Sequence, residues 1–144
     1  YVNSYRRLVP DMSAPINLEW GYDNRTTGLR VPRSNPRNRR VENRLIGADT
    51  NPYLAIAGSL AAGLLGIQNR VEPRADVVGN SFEGGRALPY SLLEGLDAFT
   101  KSAELAEVLG QKFIDMYAAL KFEEYDAFMQ VISPWERQHL LLNV

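Results

Sequence analysis

The sequence predicts an α+β fold in which antiparallel strands are followed by packed helices, and three observations predict it. Apolar residues alternate with polar ones before Asp49 and recur at helical spacing after it, so the period changes once, near residue 49. Helix-start signals recur in the later part. With 144 residues, of which 45% are apolar, the chain suits one domain with a real core rather than a disordered segment.

The strands come first. Residues 16–22, INLEWGY, place Ile16, Leu18, Trp20 and Tyr22 on one side and Asn17, Glu19 and Gly21 on the other, the pattern of a half-buried strand. Asp23 and Asn24 supply turn chemistry, and Thr27, Leu29 and Val31 resume the apolar face. An antiparallel pair is expected. Pro32 to Pro36 forms a loop, after which Arg40, Glu42 and Arg44 share one face of a third strand and Val41 and Leu45 the other.

The helices follow. Asn51 or Thr50 caps a helix with Pro52 at its first position, apolar all round and ending near Gly66, which is expected to be enclosed on most sides. Residues 69–90 read as a long loop or surface strap. Ser91 and Glu94 form a capping box for a short helix through Phe99, and Ser102 opens another that stops at Gly110. Residues 111–132 carry Phe113, Tyr117, Leu120, Glu124 and Phe128 at helical spacing and form the longest amphipathic helix. Ser133, Pro134 and Glu136 start a last short one. Trp20, Trp135, Tyr53 and the aromatic residues of the long helix are expected in the core.

Composition excludes several chemistries. The chain has no cysteine, so it holds no disulfide or thiolate metal site, and a cytoplasmic setting is the default expectation. The longest apolar run, Tyr53 to Ile67, is shorter than the roughly 20 residues of a bilayer span, so no membrane role is expected. The only histidine, His139, sits on the terminal helix, where an exposed or capping role is expected. No Gly-rich phosphate loop occurs, so any nucleotide must be held by Arg.

Charge is unevenly placed. Residues 1–50 carry nine Arg, no Lys and five acids, a net +4, while the remainder carries −5. A nucleic-acid arm usually mixes in Lys, whereas planar bidentate recognition of carboxylate or phosphate favours Arg. The candidate site is therefore Arg30, Arg40, Glu42 and Arg44 on one sheet face, with Arg25 at a turn and Arg37 in the adjoining loop. Two readings of it stay open: a surface ion-pair lattice, contributing about 0 to 1 kcal/mol per pair, or guanidiniums that clamp phosphates and a substrate carboxylate while Glu42 holds Mg²⁺ or Mn²⁺. One carboxylate makes no metal site alone. The loop between Pro10 and Pro15 has the character of a lid or of a plain connector.

The motifs NSYRRLVP, GYDNRTTGLRVP, RRVENR and GADTNPYLAIAGSLAAGLLGI, in this order and spacing, closely resemble the C-terminal part of the glutamine synthetase family. GADTNPYL and the chain ending are most similar to the γ-glutamylputrescine (γ-glutamylpolyamine) synthetase branch. The resemblance covers residues 1–144, with strands and active-site loops in 1–48 and mainly helices in 49–144, and only about the last third of a family member. The chain begins without Met inside a polar segment, and a fragment that is inactive by itself is expected.

The resemblance implies an ATP-dependent ligase that phosphorylates the γ-carboxylate of glutamate and lets an amine attack the acyl phosphate. It assigns Arg7 and Arg44 to glutamate, Arg25 to both phosphates and glutamate as a catalytic group, Arg30 and Arg37 to the nucleotide, and Glu42 to Mg²⁺ or Mn²⁺. It also implies the rest of the same catalytic chain and a homo-oligomeric ring as partners. Where glutamine synthetases proper read PGFEAP, with a Glu that helps bind and deprotonate ammonium, this chain reads PDMSAP, so Ser13 stands at the Glu position. That departure favours a polyamine or other organic amine; ammonium, with Asp11 substituting for the Glu, is the alternative. A non-catalytic Arg-rich binding module is the reading from another class. The tyrosine that some bacterial members adenylylate corresponds to Phe82, so that regulation is not expected.

Overall fold

A computed structural model describes residues 1–143. Three very short strands, β1 (Trp20–Tyr22), β2 (Leu29–Val31) and β3 (Glu42–Asn43), form one sheet in the order β1-β2-β3. β2 and β3 are antiparallel, with Arg30 opposite Glu42. β1 and β2 are parallel, Trp20 opposite Leu29 and Tyr22 opposite Val31, which corrects the expected antiparallel pair.

The reason lies in the turn. Asp23 adopts φ +49, the Asn24 carboxamide oxygen accepts from the Thr26 N–H at 3.0 Å, and the Thr27 hydroxyl donates to the Asn24 carbonyl at 2.9 Å. These bonds turn residues 23–28 back along β1 instead of across it. A parallel return usually needs a long crossover, but a three-residue strand is only about 10 Å long, so this short loop spans it. Gly28 lets the returning chain pass, because a Cβ there would sit 2.5 Å from the Asn17 carbonyl oxygen.

The predicted strand over 16–22 also shortens. Ile16 and Asn17 are both buried and Leu18 is 56% exposed, so the alternation does not continue through them. The Ile16 carbonyl accepts from the N–H groups of Ala87 and Leu88, and the Trp20 carbonyl from that of Val77. Residues 69–90 thus run against the sheet region as a strap.

Five helices follow: α1 (Pro52–Gln68), α2 (Leu92–Lys101), α3 (Ala103–Leu109), α4 (Gln111–Met129) and α5 (Pro134–Leu140). Their starts match the cap chemistry. The Asn51 side chain accepts from Tyr53 and Leu54, and Ser91, Ser102 and Ser133 each accept from the N–H three residues on. The capping box at Ser133 and Glu136 is reciprocal, whereas Glu94 reaches the Tyr90 N–H rather than that of Ser91. Glycine at 110, with φ +87, ends α3 and opens α4.

The core is where α2 meets α4. Leu92, Leu96 and Ala118 are buried together, with Val2, Tyr5 and Tyr125 packed around them, and Ile114 is fully buried. Leu92, Leu96 and Ile114 each contribute about 1.5 to 3 kcal/mol by burial. Phe99 meets Tyr117 edge-on with centroids 5.5 Å apart, and Phe113 stacks on Tyr117 at 5.8 Å. Leu120 falls off this face and is exposed.

Several residues expected inside lie outside. Among the residues of α1 only Ala61 is buried, and Tyr53, Ile56, Leu60 and Ile67 are largely exposed, because α1 packs chiefly on α3. Trp135 is exposed and stacks on His139, whose Nδ1 lies 3.0 Å from the Trp135 carbonyl oxygen. Trp20 is half-buried and donates its indole N–H to the Arg74 carbonyl at 2.7 Å. Among the described residues no helix is long and apolar enough to cross a membrane.

Candidate active site

The pairing of β2 with β3 puts Arg30 and Glu42 side by side, and the chain leaving β3 brings Arg44 to the other edge of the same carboxylate. Arg30 Nη1 donates to Glu42 Oε2 at 2.8 Å and Arg44 Nη1 to Glu42 Oε1 at 2.9 Å. The Arg30 bond first, and the Arg44 bond with it, hold the Glu42 carboxyl below the usual carboxylate range. The same bond raises the Arg30 guanidinium above its ordinary value. Charge is fixed here at neutral pH.

Two further groups complete the cluster. Asp23 Oδ1 accepts from Arg30 Nη2 at 3.1 Å, so the turn residue is also a partner of the cluster. Arg44 Nη2 donates to the Ser13 carbonyl at 2.8 Å, so the loop between Pro10 and Pro15 touches the cluster through its main chain. Ser13 itself is exposed. The Nε atoms of Arg30 and Arg44 are buried and have no acceptor, so each guanidinium keeps a buried donor unused.

The other candidates are placed differently. Arg7 ends the 3-10 turn Val2–Arg7 and donates to the carbonyls of Leu45 and Arg44, which fixes it behind the end of β3. Beside it, the Ser4 hydroxyl holds the Asp49 carboxyl below the usual range through a 2.5 Å bond. Arg25 is exposed at the tip of the β1–β2 connection, and Arg37 is exposed in the 3-10 turn Pro36–Asn38. Arg40, expected on the face of Glu42 and Arg44, turns instead to the Asn38 carbonyl at 3.3 Å and is exposed. With β3 only two residues long, strand alternation does not reach back to it. Thus Arg30, Glu42 and Arg44 are joined directly, Arg7 adjoins them through backbone, and Arg25 and Arg37 remain on the rim.

A family profile described as glutamine synthetase, catalytic domain, matches residues 1–140. The chain belongs to the glutamine synthetase family. It is 38% identical over 143 residues to the γ-glutamylputrescine synthetase PuuA of Escherichia coli (strain K12), which covers 99% of this chain and 30% of the relative. It is also 38% identical over 146 residues to the type-1 glutamine synthetase 2 of Dictyostelium discoideum, covering 97% of this chain and 28% of that protein. The fold agrees with a solved GmaS/ADP complex at a TM-score of 0.83 and 32% identity, covering 97% of this chain and 34% of the other. The chain spans less than a third of the length of these curated relatives.

Within this member of the glutamine synthetase family, Glu42 has the donor chemistry for one oxygen ligand to a hard divalent ion, since each carboxylate oxygen keeps a lone pair beyond its Arg bond. Among the described residues no group of three or more His, Cys, Asp or Glu is arranged to hold a metal. Glu42 by itself supplies one candidate oxygen donor and no complete metal site.

Proposed function

We propose that the intact protein is an ATP-dependent glutamate–amine ligase. The γ-phosphoryl group of ATP passes to a γ-carboxylate oxygen of glutamate and ADP leaves. The amine nitrogen then attacks the acyl carbon, the C–O bond to phosphate breaks, and the nitrogen gives up a proton to form the γ-glutamyl amide.

The observation that carries this reading is the ionised Glu42 between Arg30 and Arg44, with a buried, unused Nε on each guanidinium. Phosphoryl transfer depends mostly on positioning and on neutralising the charge of the transferred group, and a cluster rich in Arg with one carboxylate meets that need. Arg7 and Arg44 hold glutamate, Arg30 and Arg37 hold nucleotide phosphates, and Arg25 spans the transferred group and glutamate. A divalent ion, Mg²⁺ or Mn²⁺, bound through Glu42 and carboxylates of the rest of the chain would supply further neutralisation. The remaining catalytic chain and other copies of it, in a cytoplasmic homo-oligomeric ring, complete the enzyme. The similar solved structure is a GmaS complex with ADP, which supports a nucleotide as the co-substrate.

For the amine, the reading is an organic amine such as a polyamine. Ser13 places no carboxylate beside the Arg44 cluster to hold ammonium, and one similar protein is named for putrescine. Ammonium is the second reading, because a glutamine synthetase is equally identical to the chain. The full-length protein, given glutamate and ATP with putrescine, other primary amines or ammonium, should release ADP with putrescine. Turnover with ammonium alone would replace the first reading by the second. If Glu42→Ala and Arg44→Ala left ligation intact, the cluster would be a binding module only.

A further inference from the structure

Arg25 stands on the rim with no hydrogen bond to its side chain among the described residues, yet its two neighbours are both tied by several hydrogen bonds. The Asn24 carboxamide donates to the carbonyls of Val77 and Gly79, both at 2.9 Å, and its oxygen accepts from the Thr26 hydroxyl at 2.7 Å. The Thr26 hydroxyl accepts from the Ser81 N–H at 2.9 Å, and the Thr26 carbonyl accepts from the Ser81 hydroxyl at 2.5 Å and from the Asn17 carboxamide at 3.2 Å. Asn17 and Ser81 are 3% and 4% exposed and are bonded to each other at 2.9 Å.

Buried polar groups of this kind are costly unless every partner is in place, so a satisfied network specifies one backbone conformation. Here the partners are the main-chain atoms on both sides of Arg25 and the strap more than 50 residues later. The Asn17 oxygen also accepts from the N–H groups of Glu19, before β1, and Gly28, at the end of the turn. A long guanidinium side chain is only as well placed as the backbone that carries it.

We propose that Thr26, braced by Ser81 and Asn17, is the positioning residue of Arg25, and that the strap thereby sets where this guanidinium meets the transferred phosphoryl group. The proposal rests on the reading of Arg25 given above.

The test uses the full-length enzyme with Thr26→Val, which keeps shape and removes the hydroxyl, and Thr26→Ser, which keeps the hydroxyl, each alone and combined with Arg25→Ala. Thr26→Val should lower kcat about tenfold with the KM for the amine unchanged, Thr26→Ser should stay within about twofold of wild type, and Thr26→Val should have no further effect once Arg25 is Ala. An unchanged kcat in Thr26→Val overturns the proposal. So does the same loss in the Arg25→Ala background, which marks a general structural role. Wild-type kcat in Arg25→Ala alone overturns the functional reading of Arg25 and this one with it, a result distinct from an essential Arg25 that Thr26→Val leaves undisturbed. If Thr26→Val does not fold by circular dichroism, Ser81→Ala is measured in the same two backgrounds against the same criteria.

Discussion

Arg30 and Glu42 face each other across β2 and β3 and are joined by a 2.8 Å hydrogen bond, while the second oxygen of Glu42 is held by Arg44. The pair turns a local strand register into an electrostatic site.

Acid should dissolve it in a defined window. The Glu42 carboxyl is held below its usual value, so its charged form is favoured by the fold; the stabilisation is fully present above the ordinary carboxylate pKa and is lost as pH falls through the lowered one. Glu42→Gln should therefore flatten the acid limb of the pH–stability curve below about pH 4.5 and leave the neutral region nearly parallel to wild type. Thermal melts of the full-length protein from pH 3 to 7 would read this, and an unaltered acid limb would place the titration elsewhere.

Arg44 uses two different nitrogens, one for Glu42 and one for the Ser13 carbonyl. A lysine supplies a single compact head and cannot fork in that way. On the proposed function, Arg44→Lys in the intact protein should raise the KM for glutamate by about tenfold, the loss of roughly one charge-assisted hydrogen bond, with retained charge keeping some turnover. Steady-state kinetics with varied glutamate would check it.

The cap of α1 is a single side chain. Asn51 accepts from the N–H groups of both Tyr53 and Leu54, and Asn51→Ala should cost about 1 kcal/mol, whereas Asn51→Ser should cost little. Denaturant midpoints of the two variants give the comparison.

Ile114 is fully buried on α4. Truncation to Ala removes three carbons from a packed interior and should destabilise by about 2 to 5 kcal/mol, while Ile114→Val should cost about 0.5 to 1.5 kcal/mol. Equal losses in the two would mean that the site collapses around the smaller side chain.

Spacing in the sequence was enough for the order of the elements, the starts of α1, α2, α3 and α5, and the nomination of Arg30, Glu42 and Arg44 as candidates, while the β2–β3 register joins them. Caps act within one helical turn, and a two-residue period fixes which side chains share a strand face, so both are local and can be read from spacing. The family resemblance of the sequence names Arg7, Arg25, Arg30, Arg37 and Arg44 as candidates for the site. Tertiary structure decided the rest: that β1 and β2 run parallel, that α1 and Trp135 leave apolar surface outside, that Arg40 turns away from Glu42, and that Asn17, Asn24, Thr26 and Ser81 lock together. Those outcomes depend on contacts closed over long stretches of chain, as between Thr26 and Ser81, and on which face finds a partner. No local periodicity encodes either.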